Sequence, residues 1–406
     1  MNAPAFVPTN APALNPSAST VPSLSVRPAA AAPVLPPRAP ALVSAPALRT
    51  DLLPARAAAG HLGDAAVGKG TGTIVVLFRS DLRLDDHPAL SHAIEEAATV
   101  VPVYCFDPRH FGRTEYGFEK TGQYRAKFLL ESIAGLRKSL QEKGADIVVR
   151  RGNPEDVLPD LCKKLGSKRV FVHKEVTYDD QQVEAALATA LKKQGAELSS
   201  FWANTLYHED DLPFDIRTMP DVYSDFRESV EKRGNIRVPL PAPDRMPNMP
   251  KGLRPGKIPT LEALGIRTNI VYSTRPPSAT GVSAVTGGEK EAHRRVQAYV
   301  EETNRFDAKH SPKSVTPKNL GADFSCRISP WLALGCVSPR RIFDEMKKAI
   351  RNPQELMRSS TYFELVWRDF FRCITAKYSS KRALAKSSRS GIESARTTRR
   401  ASLVGA

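Results

Sequence analysis

The sequence offers no arrangement of cysteines that could hold a metal or a disulfide framework. Its five cysteines are scattered along 406 residues, odd in number, and include no Cys-x-x-Cys pair. This excludes a zinc site of the usual spacing and a disulfide-rich secreted fold. No apolar run reaches the roughly 18–20 residues that a membrane-spanning helix needs. We therefore expect a soluble, monomeric protein of a reducing compartment, with no metal and no membrane partner.

Acidic residues are scarce at both ends of the chain. Residues 1–70 have no acidic residue before Asp51 and hold twelve of the 33 prolines. Such a segment cannot bury a core, and its Arg-bearing, acid-poor composition is typical of an organelle transit peptide. The Ala, Pro and Ser bias favours the chloroplast over the mitochondrion, and a merely disordered extension is the alternative. Residues 381–406 carry seven Lys or Arg against one Glu, which predicts a basic, disordered tail.

The balance of charge over the whole chain favours an anionic partner. The formal net charge is +16 and the isoelectric point is near 9.7. Nucleic acid is the first candidate for such a partner. The two ends supply more than half of this excess, so the body of the protein is only moderately basic.

A Gly-x-Gly-x-x-Gly turn is missing after the first apolar run, which disfavours the usual dinucleotide-binding site. Short apolar runs instead alternate with helical patterns. The runs are 73–78, 100–106, 147–149, 169–173 and 197–202, and the helical patterns are 88–98, 124–143, 154–164 and 180–193. This alternation predicts a doubly wound α/β domain with a parallel five-stranded sheet over residues 71–210. The charged residues that follow each strand are either ligand contacts or ordinary caps and ion pairs.

The remainder of the chain predicts a connector and an all-helical domain. Residues 211–286 include a proline-rich, basic stretch without periodicity after Val238, which we interpret as an extended connector. Residues 287–380 open with an amphipathic pattern over 289–302, and a later helix begins at Ser338 and Pro339, a typical N-cap and first helical residue.

The last helical stretch, residues 360–372, carries an unusual face. Glu364, Trp367, Arg368 and Phe371 fall at positions i, i+3, i+4 and i+7 of a helix. One interpretation is a packing helix with a Glu–Arg pair. The other is a pocket wall that stacks on flat heterocycles and bonds their polar edges.

Segments in three parts of the chain together resemble one family. Residues 78–90 (FRSDLRLDDHPAL) resemble the N-terminal signature of photolyases and cryptochromes, and residues 201–214 (FWANTLYHEDDLPF) resemble the DASH branch. Residues 329–340 (SPWLALGCVSPR) and 364–371 (ELVWRDFF) are similar to the first half of the flavin domain. The resemblance covers residues 73–379. It implies a U-shaped FAD in the helical domain and a 5,10-methenyltetrahydrofolate antenna on the α/β domain. It also implies light-driven repair of cyclobutane pyrimidine dimers, and for the DASH branch these dimers are in single-stranded DNA. Photoreception uses the same scaffold.

The resemblance also assigns roles to individual residues. It places Glu364 and Trp367 at the lesion pocket as the catalytic pair, with Glu364, Arg368 and Phe371 as FAD contacts. Glu175 matches the position that bonds the folate antenna, whereas we interpret Trp202 as a core residue. The segment expected at the FAD phosphates comprises Ser325, Cys326, Arg327, Ile328 and Ser329. An ordinary N-terminal cap for the following helix is the alternative for this segment.

The chain departs from the family pattern in two places. Pro312 stands where the pattern has a flavin-contacting Tyr, and the resemblance stops near residue 379, about halfway through the flavin domain. We therefore expect an incomplete FAD-binding domain and weak or no retention of FAD. A truncated, non-catalytic form that binds nucleic acid or acts as a regulatory module is the alternative function. A nucleotide-binding transferase is disfavoured because the α/β domain has no phosphate loop.

Overall fold

A computed structural model describes residues 70–267, 285–309 and 327–379. Its centre is a sheet of five parallel strands in the order β3-β2-β1-β4-β5. The strands are β1 (Thr73–Phe78), β2 (Thr99–Phe106), β3 (Val148–Arg151), β4 (Arg169–His173) and β5 (Glu197–Phe201). In register, Ile74 of β1 lies between Val100 of β2 and Arg169 of β4. The predicted doubly wound parallel sheet is confirmed, with strand ends within two residues of those expected.

The first two strands are continuously apolar because the sheet is covered on both faces. Along β1, Val75 and Leu77 contribute to one buried cluster, whereas Ile74, Val76 and Phe78 contribute to the other. The first cluster includes residues of α3 (Pro154–Leu165) and α4 (Tyr178–Lys192). The second includes α1 (Pro88–Glu96), α2 (Gln123–Glu142) and much of the helical domain. One of the two cores is therefore shared by both predicted domains.

A helix that the sequence analysis missed lies in the region predicted as a connector. This helix, α5 (Tyr223–Arg233), buries Phe226 and Val230 and is otherwise polar. Two buried positions one helical turn apart give too weak a periodicity to stand out in the sequence. Beyond α5 the backbone is irregular up to a short turn of 3-10 helix at Glu262–Leu264.

The last part of the described chain is helical, as predicted. Its helices are α6 (Glu289–Lys309), α7 (Ser329–Ala333), α8 (Pro339–Ala349), α9 (Pro353–Arg358) and α10 (residues 360–379). Ser338 caps α8 as expected, since its hydroxyl accepts a hydrogen bond from the Arg341 amide at 3.0 Å. Trp331 is fully buried and its indole donates to the Thr286 carbonyl at 3.1 Å. None of the helices in the described ranges is long and apolar enough to cross a bilayer.

Buried ion pairs join the loop after β1 to the helical domain. The carboxylate of Asp86 accepts two hydrogen bonds from the Arg340 guanidinium, at 2.6 and 2.9 Å, and both side chains are buried. Next to this pair, Asp85 accepts two bonds of 2.7 Å from Arg341. Arg83, fully buried, donates to Asn204 and to the Gly335 carbonyl. Asp85 and Asp86 thus form ion pairs, whereas Arg83 donates to neutral acceptors.

Candidate functional site

Three aromatic rings of α10 form a partly open surface, which we call the aromatic ledge (Phe363, Trp367 and Phe371). Their side chains are 36%, 36% and 49% exposed. The indole of Trp367 stacks on Phe363 with centroids 5.7 Å apart and meets Phe371 edge to face at 5.2 Å. Tyr223 of α5 packs edge-on against the same indole at 4.3 Å. These contacts hold the indole in one orientation and leave part of it open to a planar ligand.

Glu364 lies one helical turn before Trp367 on the same face. Its side chain is half-buried, and burial raises the pKa of the carboxyl above its ordinary value. Within the described ranges it forms no ion pair with Arg368, which instead donates to the backbone carbonyl of Asn204. The Glu–Arg pair of the packing-helix interpretation is therefore absent here. The oxygens of Glu364 can accept hydrogen bonds from the polar edge of a ligand.

The opposite face of α10 is attached to the α/β domain. Tyr362 is fully buried, and its hydroxyl lies 2.9 Å from that of Tyr207. The buried carboxylate of Asp369 accepts hydrogen bonds of 2.9 Å from the backbone amides of Leu206 and Tyr207. Sequence analysis did not single out Asp369, although it is the only acidic residue on the buried face of residues 360–372. These bonds fix the orientation of the ledge relative to the sheet.

The titration of Asp369 gives a testable pH dependence. Burial raises the pKa of its carboxyl to about 7 in spite of the two amide donors and the nearby Arg368. Because this pKa lies above the ordinary value of 3.8, the folded state holds a proton that the unfolded state releases. Stability therefore falls as the pH rises towards the folded pKa. We expect the free energy of unfolding to fall by about 1 kcal/mol between pH 6 and pH 7.

Urea unfolding monitored by circular dichroism at each pH measures this effect. The Asp369→Asn variant keeps an acceptor for one amide but cannot titrate. We expect its unfolding midpoint to vary less between pH 6 and pH 7 than that of the native protein. Parallel pH profiles for the two proteins would contradict this assignment.

Glu175 lies against α10 at the end of β4. Its carboxylate accepts a hydrogen bond of 3.1 Å from Arg372, and burial raises its pKa. Arg372 also donates to the Lys174 carbonyl at 2.6 Å and lies over the ring of Trp202. Trp202 itself is 4% exposed and donates to the Thr205 hydroxyl. Trp202 is thus a core residue, as predicted, whereas Glu175 has one oxygen engaged by Arg372.

Only part of the segment expected at the FAD phosphates is described. Ser325, Cys326 and the preceding Pro312 lie outside the described residues. Ile328 is buried, and its carbonyl accepts the amides of Trp331 and Leu332 at the start of α7. That is the behaviour of an ordinary helix cap, which was the alternative interpretation. Arg327 is half-buried and Ser329 is exposed; they are the two polar residues in the described part of this segment.

Arg368 lies near another cation, Arg372, and near the acidic residues Asp369 and Glu175. Burial, followed by the proximity of Arg372, lowers the pKa of Arg368 to about 10. A cation held in this way is stabilised by an anion beside it. Together with a carboxyl and open aromatic rings, this donor set fits a flavin nucleotide, which combines a flat heterocycle with a pyrophosphate.

A cluster of Asp81, His87 and His173 resembles a metal site in composition. All three are buried, and one ligand atom from each lies within 4.8 Å of the others. However, Nδ1 of His87 accepts a hydrogen bond of 3.0 Å from the Leu90 amide. In the neutral ring the proton is therefore on Nε2, which lies 3.0 Å from Asp81 Oδ2. This tautomer puts an N–H, and not a lone pair, on the nitrogen nearest Asp81, which disfavours His87 as a metal ligand.

Comparison with known proteins agrees with this architecture. The family model described as DNA photolyase matches residues 74–244. The blue-light photoreceptor PHR2 of Arabidopsis thaliana is 43% identical over 318 residues, which are 75% of this chain and 70% of that protein. Cryptochrome DASH of Xenopus laevis is 42% identical over 75% of this chain and 57% of its own length. An Arabidopsis protein named "Cryptochrome DASH, chloroplastic/mitochondrial" is 39% identical over 76% of this chain and 53% of its own.

A solved structure shows the same fold. The Synechocystis cryptochrome superposes with a TM-score of 0.65 at 36% identity, covering 75% of this chain and 62% of that one. The chain thus spans between about half and seven tenths of the length of these relatives. With this degree of identity, and with the sheet order and helical domain described above, the chain belongs to the cryptochrome and DNA photolyase family, and proteins named cryptochrome DASH are among the relatives that it resembles.

Proposed function

We propose that this chain is a photolyase-type, blue-light flavoprotein that acts on cyclobutane pyrimidine dimers in single-stranded DNA. The observation that carries the proposal is the open indole of Trp367 beside the half-buried carboxyl of Glu364. A pyrimidine dimer presents both an apolar surface for stacking and polar edges for hydrogen bonding. The two residues match these requirements on a single turn of α10.

The chain's own residues have distinct tasks in this proposal. Trp367, oriented by Tyr223, stacks on the lesion, and Glu364 bonds the polar edge of a pyrimidine. FAD, when bound in its reduced form and excited by blue light, would supply the electron. Arg368 and Phe371 hold the flavin, and the segment containing Arg327 and Ser329 contacts its phosphates. Single-stranded substrate suits an exposed ledge, because no energy is spent in extruding the lesion from a duplex.

Light-driven repair is the direct test. Purified protein, supplied with excess FAD and a reductant, is mixed with an oligonucleotide containing one thymine dimer. We expect blue light to remove the dimer from single strands faster than from the matched duplex. Retention of flavin with no loss of dimer under blue light would instead support a photoreceptor.

The folate antenna provides a separate test of Glu175. We propose that its carboxyl also bonds 5,10-methenyltetrahydrofolate, with Arg372 holding the carboxyl in place through the other oxygen. The neutral amide of Glu175→Gln cannot form an ion pair with Arg372. We therefore expect the affinity for folate to fall by about tenfold, which corresponds to the loss of one hydrogen bond to a charged group. Fluorescence of the added folate measures binding. Glu209→Gln, which neutralises the ion-pair partner of the neighbouring Lys174, is the control and should bind folate normally.

A second candidate function is a non-catalytic nucleic-acid-binding module. The exposure of Trp367 and Phe371 favours it, because a surface without flavin could still stack on bases. The ratio of flavin to protein after purification and addition of FAD separates the two candidates: stoichiometric flavin supports the enzyme, and its absence supports the module. For location we propose an organelle, the chloroplast before the mitochondrion, from the composition of residues 1–70.

A further inference from the structure

The loop after β2 carries a rigid hairpin with two protruding aromatic rings. We call residues 112–120 the β2 hairpin. Tyr116 and Phe118 are 77% and 71% exposed, the largest values among the exposed aromatic side chains of the described residues. Exposed rings of this size on a folded segment usually mark a binding surface.

Backbone hydrogen bonds hold the β2 hairpin in a single conformation. The Thr114 amide donates to the Phe118 carbonyl at 2.8 Å, and the Gly117 amide donates to the Thr114 carbonyl at 3.0 Å. The Lys120 amide closes the base by donating to the Gly112 carbonyl at 3.0 Å. Gly117 has a φ of +83°, as the three-residue turn requires. The rings are therefore presented without the entropic cost of ordering a flexible loop.

Basic residues lie in the same segment of the chain as the two rings. Arg113 and Lys120 lie in the hairpin and Arg125 follows in the first turn of α2; all three are exposed. In the described part of the chain none of the three has an ion-pair partner within 4.0 Å. The hairpin also contains two acidic residues, Glu115 and Glu119, which balance Arg113 and Lys120. Arg125 and Lys127 give the whole segment from 112 to 127 a net positive charge.

We propose that the β2 hairpin is a second binding surface for single-stranded nucleic acid, on the α/β domain and separate from the aromatic ledge. Tyr116 and Phe118 stack on bases without regard to sequence, and Arg113, Lys120 and Arg125 contact phosphates. Exposed flat rings in a segment of net positive charge suit single strands, whose bases have free faces, better than a duplex, whose bases are already stacked. The site binds undamaged strands and does not depend on the proposed repair activity.

The test uses the full chain and an undamaged oligothymidine of sixteen nucleotides. In the Tyr116→Ala/Phe118→Ala double variant we expect the affinity to fall by about fivefold or more for each ring that stacks. In the Arg113→Gln/Lys120→Gln/Arg125→Gln variant we expect the salt dependence to weaken, with the slope of log K against log salt reduced by about 2 for three lost phosphate contacts. Thermal unfolding should be unchanged in both, because the altered side chains are exposed.

Two results would overturn the proposal. One is an unchanged affinity for oligothymidine in the double variant; the other is an unchanged salt slope in the triple variant. Either would leave the rings available for a protein partner. The outcome is independent of the aromatic ledge, because the hairpin variants should weaken binding of damaged and undamaged strands equally. A failure of the proposed function would be seen differently: the native protein would show no preference for the strand that contains the dimer.

Discussion

Replacing Arg340 with methionine is expected to lower the free energy of unfolding by about 3–5 kcal/mol, the largest effect that we predict for a single substitution. Asp86 is fully buried and Arg340 is 7% exposed. Burial acts to raise the pKa of Asp86, but Arg340 and then Arg83 outweigh it, so the pKa is lowered. Without Arg340 the carboxylate remains buried without its bidentate partner. Because the pair joins the loop after β1 to α8, its loss also loosens the contact between the two domains.

Urea unfolding monitored by circular dichroism gives the comparison. Arg217→Met is the matched control: Arg217 also forms a close pair with an aspartate, but its side chain is 86% exposed. Exposed pairs of this kind contribute little, because water and salt screen them. We expect no measurable change in the control. If both variants shifted the unfolding midpoint equally, burial of the Asp86–Arg340 pair could not explain the loss of stability in the Arg340 variant.

Replacing Trp367 with alanine is expected to weaken binding of a dimer-containing single strand by about 5- to 150-fold. This range corresponds to the roughly 1–3 kcal/mol that an aromatic ring contributes by stacking on one base. Tyr223, Phe363 and Phe371 would remain, but none of them replaces the indole at its position next to Glu364. The rest of the fold should be preserved, because the indole is 36% exposed. Fluorescence anisotropy of a labelled oligonucleotide measures the affinity.

Tyr378→Leu is the matched control for the ledge. Tyr378 is on the same helix and is 39% exposed, close to the value for Trp367, but lies three turns further along α10. Its loss should leave the affinity for the dimer unchanged. A similar decrease in both variants would mean that α10 binds DNA through general exposure of aromatic rings, without a specific role for Trp367.

The fold could be predicted well where local pattern and burial coincide. Runs such as Thr73–Phe78 are apolar after their first residue because both faces of the sheet are covered, so their assignment as buried parallel strands follows from the sequence. By contrast, α5 escaped prediction because its contribution to the core is limited to Phe226 and Val230. Its importance is tertiary, since Tyr223 of the same helix supports Trp367.

The candidate site was only half predictable for a similar reason. Spacing placed Glu364 and Trp367 on one face of α10, which the structure shows. The spacing could not show that Arg368 would donate to the Asn204 carbonyl. Nor could it show that Asp369 would accept hydrogen bonds from two backbone amides more than 160 positions away in the chain. Such contacts depend on how α10 meets the sheet. The same holds for Asp85 and Asp86, whose partners come from the other domain.

The central question is whether the Glu364–Trp367 face of α10 recognises a pyrimidine dimer. The most direct test measures the affinity of the native protein for damaged and for undamaged single strands. Both affinities are measured in the dark, with and without FAD. We predict that an oligonucleotide containing one thymine dimer binds at least about fivefold more tightly than the same oligonucleotide without it, as expected for one additional stacked group. Equal affinities for the two strands, in protein that is folded and supplied with FAD, would contradict the proposed role of this face.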